Sequence, residues 1–128
     1  MTTLPTTKAL GDEAEARALA HLSAAGLVLV RRNYRVARGP SSRGGEVDLV
    51  MRDRDGTIVF VEVRARRDSR FGGAAASIGA AKRRRLIFAA SHYLRRITMT
   101  PACRFDVVAV DGERIEWLRA AFDAGQAN

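Results

Sequence analysis

The stretch GEVDLVMRDRDGTIVFVEVRAR, residues 45–66, decides the fold. Two runs rich in β-branched and aliphatic residues, Glu46 to Arg52 and Thr57 to Arg66, flank Asp53-Arg54-Asp55-Gly56. An Asp-Gly pair between two such runs supplies the turn that a hairpin demands, so the stretch is read as two antiparallel strands. If Met51 pairs with Val59, then Leu49 faces Val61 and Val47 faces Val63. All six are apolar, and that face is taken as the core. The same register sets Asp48 opposite Glu62 and Glu46 opposite Arg64 on the other face. A slip of one residue would place core residues against polar ones.

Outward from the hairpin, the upstream residues read as a helix and a strand. Leu10, Ala14, Ala18 and Leu22 recur at four-residue intervals and predict a helix from Lys8 to Ala25. Gly26 stands where a left-handed C-terminal cap belongs. A strand follows from Leu27 to Val36, and the Gly-, Ser- and Pro-rich stretch 37–45 is a loop. Downstream, the basic stretch 65–76 reads as a flexible connection. A second helix is predicted from Ile78 to Arg96, with Ser77 as its N-cap and Ile78, Leu86, Ala90, Tyr93 and Leu94 as its apolar stripe. Cys103 to Val110 is a strand, Asp111-Gly112 a tight turn, and Arg114 to Leu118 a short partner strand. The order is α-β-β-β-α-β-β, an α/β chain. It is read as one domain over residues 1–128, with 1–7 and 119–128 as loosely ordered tails.

The charge is unevenly placed. The chain carries 22 Lys+Arg against 14 Asp+Glu, a net +8, yet Arg31 to Arg96 alone holds 17 basic and 6 acidic residues. Of the 22 basic residues 20 are arginine, whose planar fork matches phosphate oxygens, so a nucleic acid is the expected partner. No apolar run approaches the roughly 20 residues of a membrane span. Residues 1–12 hold no apolar run after their single lysine, so no secretory leader is expected. The single cysteine, Cys103, excludes an internal disulfide and a Cys-rich zinc site. These features point to the cytoplasm and to no membrane partner.

The chemistry lies with Asp48 and Glu62. Two carboxylates side by side repel and drive each other toward protonation unless a cation lies between them. Mg²⁺, a hard ion held through one or two carboxylates plus phosphate and water, resolves that conflict and suits phosphodiester cleavage. The competing reading is a solvated hairpin face, with Glu46 and Arg64 as a cross-strand ion pair. His21 and His92 have no partners at ligand spacing, and Cys103 reads as a small buried hydrophobe. Asp106, inside an apolar strand, reads as the structural partner of Arg104 or of an arginine in the second helix. Tyr34, bracketed by Arg31, Arg32 and Arg35, is either a base-stacking residue or part of the core. Lys82 and the loop arginines Arg66, Arg67 and Arg70 are candidate phosphate contacts, together with Arg35.

Taken in order, several segments resemble a known family. They are Glu15 with Ala18 and Leu22, Arg32-Asn33-Tyr34-Arg35, Gly45-Glu46-Val47-Asp48-Leu49, and Phe60-Val61-Glu62-Val63. Lys82 with Leu86, Ala90 and Leu94, and Arg104-Phe105-Asp106-Val107-Val108, complete the set. From about Gly11 to Val110 the chain resembles the YraN-type bacterial proteins, an endonuclease-like group. It is similar more widely to the PD-(D/E)XK, or restriction endonuclease-like, nuclease superfamily. The resemblance implies an αβββαβ core with a mixed sheet, to which this chain adds a strand. It implies Mg²⁺- or Mn²⁺-dependent hydrolysis of phosphodiester bonds in DNA, branched structures among the substrates. Resolvase-like relatives that cut two strands usually work as dimers, and for this chain a homodimer stays open. Asp48 and Glu62 are then metal ligands and Glu15 a third carboxylate in the same site. Arg64 holds the place of the superfamily lysine, where it can stabilise charge but not act as a base. The motif's proline is absent, Val47 preceding Asp48, and Ala14-Glu15 stands where the family tends to have Gly-Glu. A nucleic-acid-binding module with a vestigial site and a protein-interaction domain are the alternative classes.

Overall fold

The computed structural model describes residues 6–37, 44–65, 78–97 and 101–124. The elements are α1 (Thr7–Ala24), β1 (Val28–Val36), β2 (Gly45–Arg52), β3 (Ile58–Ala65), α2 (Ala80–Arg95), β4 (Cys103–Asp111) and β5 (Arg114–Phe122). That is the expected order. The five strands form one sheet in the sequence β1-β2-β3-β4-β5. β1, β2 and β3 make an antiparallel meander, β3 and β4 run parallel, and β4 and β5 are antiparallel. The result is a mixed-sheet α/β architecture of the restriction endonuclease-like type. Neither helix is long and apolar enough to cross a membrane, among the described residues.

Helix α1 starts where the Thr6 hydroxyl accepts a hydrogen bond from the Ala9 amide, satisfying one of the free N–H groups of the first turn. It stops as its sequence directs. Gly26 takes φ 103°, and the amides of Gly26 and Leu27 donate back to the carbonyls of Ser23 and Leu22. That pair of bonds closes the helix with a glycine where a side chain would be strained. α2 begins later than expected. Its N-cap is Gly79, without a side-chain cap, and Ser77 lies outside the described residues.

Near the turn the hairpin register is the predicted one, with Leu49 opposite Val61, Met51 opposite Val59 and Arg52 opposite Ile58. The ladder stops at Leu49 and Val61, however, and does not include the expected pairs Val47 with Val63, Asp48 with Glu62 and Glu46 with Arg64. The expected single core face is not found either. Ala14, Ala18 and Leu22 of α1 pack with Leu49, Met51, Val59, Val61 and Val108. On the α2 side, Leu86, Ala89 and Ala90 pack with Val47, Val50, Phe60, Phe105 and Val107. Both faces are therefore buried, as a sheet with a parallel joint and helices on its two sides requires. Val47 falls on the α2 side, out of phase with Leu49. The alternation of β2 thus slips at Asp48.

β5 also departs from expectation, running through Phe122 where a loosely ordered tail is expected after Leu118. The cause is Asp106. Between the pairs Phe105↔Phe122 and Val107↔Leu118 the register shifts, leaving Arg119, Ala120 and Ala121 opposite Asp106 alone. Ala120 adopts φ 49° there, and its amide donates to Asp106 Oδ1 at 2.9 Å. Trp117 Nε1 donates to Asp106 Oδ2 at 2.9 Å, and Arg104 Nε donates to the same carboxylate at 3.0 Å. Asp106 is thus the structural partner of Arg104 that its setting suggested, and its carboxylate ties the bulged end of β5 to the sheet.

Candidate active site

The β2·β3 ladder ends at Leu49↔Val61, although β2 stays paired with β1 as far as Gly45. The two central strands therefore part at Asp48. Asp48 Oδ2 accepts a hydrogen bond from the Val63 amide at 2.8 Å, taking the place of the carbonyl that a continued ladder would have provided. This fastens the carboxylate in the fork between the strands. Its neighbour is Glu62, which is only 4% exposed. Burial, reinforced by the charge of Asp48 and a hydrogen bond between the two carboxyl groups, pushes the Glu62 carboxyl up to about 8.

Glu15 reaches the same region from α1, and its carboxyl is also raised, first by burial and then by the Asp48 charge. Arg32 Nη2 lies 3.8 Å from Glu15 Oε1, and a hydrogen bond with the Asn33 side chain opposes the rise. Asn33 falls between the pairs Arg32↔Leu49 and Tyr34↔Val47, beside Asp48, and takes the left-handed φ of 52°. Such a conformation is uncommon outside glycine, and asparagine is among the residues that adopt it most readily. Glu15 Oε1 is buried and accepts no hydrogen bond. Asp48 therefore stands between Glu15 and Glu62, brought together from α1, β2 and β3.

The cation paired with Glu62 comes from the second helix. Lys82 Nζ lies 3.6 Å from Glu62 Oε2, and its charge lowers the Glu62 carboxyl more than that of Arg64 does. Arg64, half-buried on β3, acts on Glu62 through space. Sequence reading put Lys82 among the phosphate contacts and missed this placement. Two signals were there. Lys82 is four residues before Leu86 and eight before Ala90, on the buried stripe of its helix, and it is the only lysine in the arginine-rich stretch from Arg31 to Arg96.

α2 is held close to the fork by a glycine. A β-carbon on Gly45 would run into the Arg85 carbonyl oxygen and come within 2.9 Å of the Ala89 amide nitrogen. Gly45→Ala is accordingly expected to lower stability by about 1–3 kcal/mol, as overpacking at a close contact does. Urea denaturation measures it, and an unchanged midpoint would show that the helix shifts without cost.

Other expected placements differ. Glu46 pairs with Arg35 of β1 at 3.5 Å rather than with Arg64, because β2 has already left β3 at that level. Tyr34 belongs to the core at 3% exposure, its hydroxyl 2.6 Å from His92 Nδ1. Cys103 is exposed rather than buried. Arg66, Arg67 and Arg70 lie outside the described residues.

The donor set fits a hard divalent cation. Asp48 and Glu62 are paired carboxylates, and Glu15 Oε1, although Arg32 lies 3.8 Å away, lacks the hydrogen bond that a buried acceptor ordinarily has, among the described residues. Among the described residues, however, no three His, Cys, Asp or Glu side chains gather closely enough to be direct ligands of one ion. The arrangement suits Mg²⁺, which takes one or two carboxylates and keeps several waters.

The fork, α2 and the greater part of α1 fall inside a segment with many relatives. Residues 14–110 match the model of the uncharacterised protein family UPF0102. A UPF0102 protein of Methylibium petroleiphilum is 65% identical over 119 residues, covering 93% of this chain and 98% of that protein. One from Paracidovorax citrulli is 63% identical over 120 residues, covering 94% and 87%. Another, from an Acidovorax species, is 60% identical over 119 residues, covering 93% and 88%. With this family match and these identities, the chain belongs to UPF0102, the YraN-type family.

Proposed function

We propose that this protein is a Mg²⁺-dependent nuclease that hydrolyses phosphodiester bonds in DNA, with branched DNA the first substrate to try. The observation that carries the reading is the Asp48–Glu62 pair in a fork of the sheet, where burial and the charge of Asp48 raise the proton affinity of Glu62. The net +8 charge of the chain favours a polyanionic substrate.

Asp48, through the oxygen not engaged by the Val63 amide, and Glu62 would hold the ion. Once bound, the ion would polarise a phosphoryl oxygen and lower the pKa of an attacking water. Glu62 must give up its proton to serve, and the Lys82 ammonium favours the ionised form. Lys82 and Arg64 would offset the negative charge that builds on the phosphoryl group. Arg64 retains its own proton near neutral pH, so the proton of the water must pass to another group. Glu15, whose carboxyl is raised above the ordinary range and whose Oε1 accepts no hydrogen bond among the described residues, would take it.

The test is nicking of supercoiled plasmid and cleavage of a four-way junction in Mg²⁺. Wild-type cleavage is expected to cease in EDTA and to fall at least about a hundredfold in Asp48→Asn. Equal cleavage by Asp48→Asn and wild type would defeat the proposal. The presence of Arg64 where related nucleases have lysine favours a second reading, a nucleic-acid-binding module that no longer cuts. Salt-sensitive binding, indifferent to EDTA and without cleavage, would select it.

A further inference from the structure

Beyond Lys82 lies a cleft of about 330 Å³ between α2 and the start of β2. Arg35, Glu46, Gly45, Lys82 and Arg85 contribute to its lining. Its single carboxylate, Glu46, is engaged by Arg35, and Lys82 is paired with Glu62. Arg85 stands apart. Its Nε is buried and finds no hydrogen-bond acceptor among the described residues, an arrangement that is costly for a guanidinium group. α2 has little freedom to relieve it, because the Arg85 carbonyl is already pressed against Gly45.

We propose that this cleft seats a backbone phosphate of the nucleic acid, next along the strand from the phosphate that meets Asp48 and Glu62. The inference rests on the nucleic-acid reading above and adds a place for the substrate beside the reacting group. Three chemical features support it. The cleft has an excess of positive charge, which an anion would offset. The buried guanidinium N–H requires an acceptor, and phosphate oxygens suit the arginine fork. Lys82 belongs to both places, lining the cleft while pairing with Glu62, so one amine would lie between two successive phosphates. A chain of regularly spaced phosphates fits that sharing better than an acidic peptide, whose carboxylates have no fixed spacing.

Binding of a fluorescent DNA duplex is measured in EDTA, so that cleavage plays no part, over a range of salt concentrations. Arg85→Gln is expected to weaken binding about tenfold at low salt and to flatten the slope of log K against log salt by about 0.9. Arg85→Lys, which keeps the charge, retains the wild-type slope. Arg35→Gln, on the opposite wall and exposed, shows a loss in the same direction and reports on the cleft if Arg85→Gln does not fold. Arg114→Gln, on β5, matches wild type at low salt to within about twofold. An unchanged slope in both Arg85→Gln and Arg35→Gln overturns the proposal. So does equal competition by polyglutamate and by unlabelled DNA.

The two readings fail separately. Arg85-dependent binding by a protein that does not nick in Mg²⁺ retires the nuclease and keeps the cleft. Nicking by a protein whose binding ignores Arg85 and Arg35 retires the cleft alone.

Discussion

At about pH 9 and without divalent cations, Glu62→Gln is expected to be more stable than the wild-type chain by several kcal/mol. The reason is the proton that burial and Asp48 keep on Glu62. Below the ordinary carboxyl value of 4.5, Glu62 is protonated in both the folded and the unfolded chain and its burial carries no charge penalty. As pH rises through that value the unfolded chain loses its proton and the folded one does not. Stability then declines by about 1.4 kcal/mol per pH unit until the folded carboxyl ionises near 8. Glutamine is neutral throughout and can donate to Asp48 as the protonated acid does. The advantage of Glu62→Gln should therefore vanish near pH 4 and grow toward pH 9, as urea midpoints across pH will show.

Millimolar Mg²⁺ should stabilise the wild-type chain at about pH 9, far less at about pH 5, and Glu62→Gln little at either, because the ion competes with the proton for one carboxylate. A stability difference between the two chains that does not vary with pH would mean that Glu62 is already ionised in the folded state.

The other large effect is expected at the far end of the sheet. Asp106→Ala removes the acceptor of Arg104 Nε, Trp117 Nε1 and the Ala120 amide together. Arg104 keeps its bond to Asp53 at 2.8 Å, but its guanidinium loses the buried partner beside it. Stranding one partner of a buried charged pair costs about 3–5 kcal/mol. For a chain of this size the melting temperature should fall by roughly 10–20 °C. Asp106→Asn keeps the size and part of the hydrogen bonding, so it should retain about half of the loss. Calorimetry on the three proteins orders them. A melting temperature for Asp106→Ala within a few degrees of wild type would show that the bulge of β5 closes without its carboxylate.

Much of this architecture is written in local pattern. The Asp-Gly turn and the opposed valines fixed the hairpin register, and Gly26 marked the end of α1. Extending the hairpin register set Asp48 beside Glu62, and the two carboxyl groups do meet, although through their side chains in the fork beyond the end of the ladder. The burial of both faces was less visible. Val50 and Phe60 lie on the face opposite Leu49 and Met51, and the change of phase at Asp48 coincides with β3 parting from β2, which alternation alone does not encode. Lys82 and Arg32 meet their carboxylates only through tertiary packing, so spacing along the chain could not assign them. β5 outran its prediction because Asp106 supports a bulge that ordinary strand patterns do not contain.

The one parallel joint in the sheet has a kinetic consequence. Every other strand pair joins neighbours along the chain and closes a short loop, whereas Ile58 can find Cys103 only after all of α2 lies between them. Long-range pairing of this kind bears a larger loss of chain entropy and makes for slow folding. The β1–β2–β3 meander can assemble first, and it contains Asp48 and Glu62 in full. The two carboxylates would then meet before Lys82 is delivered, and a proton is what lets them do so. Acidic conditions should thus ease the early steps of folding at the same residues on which a metal ion later depends.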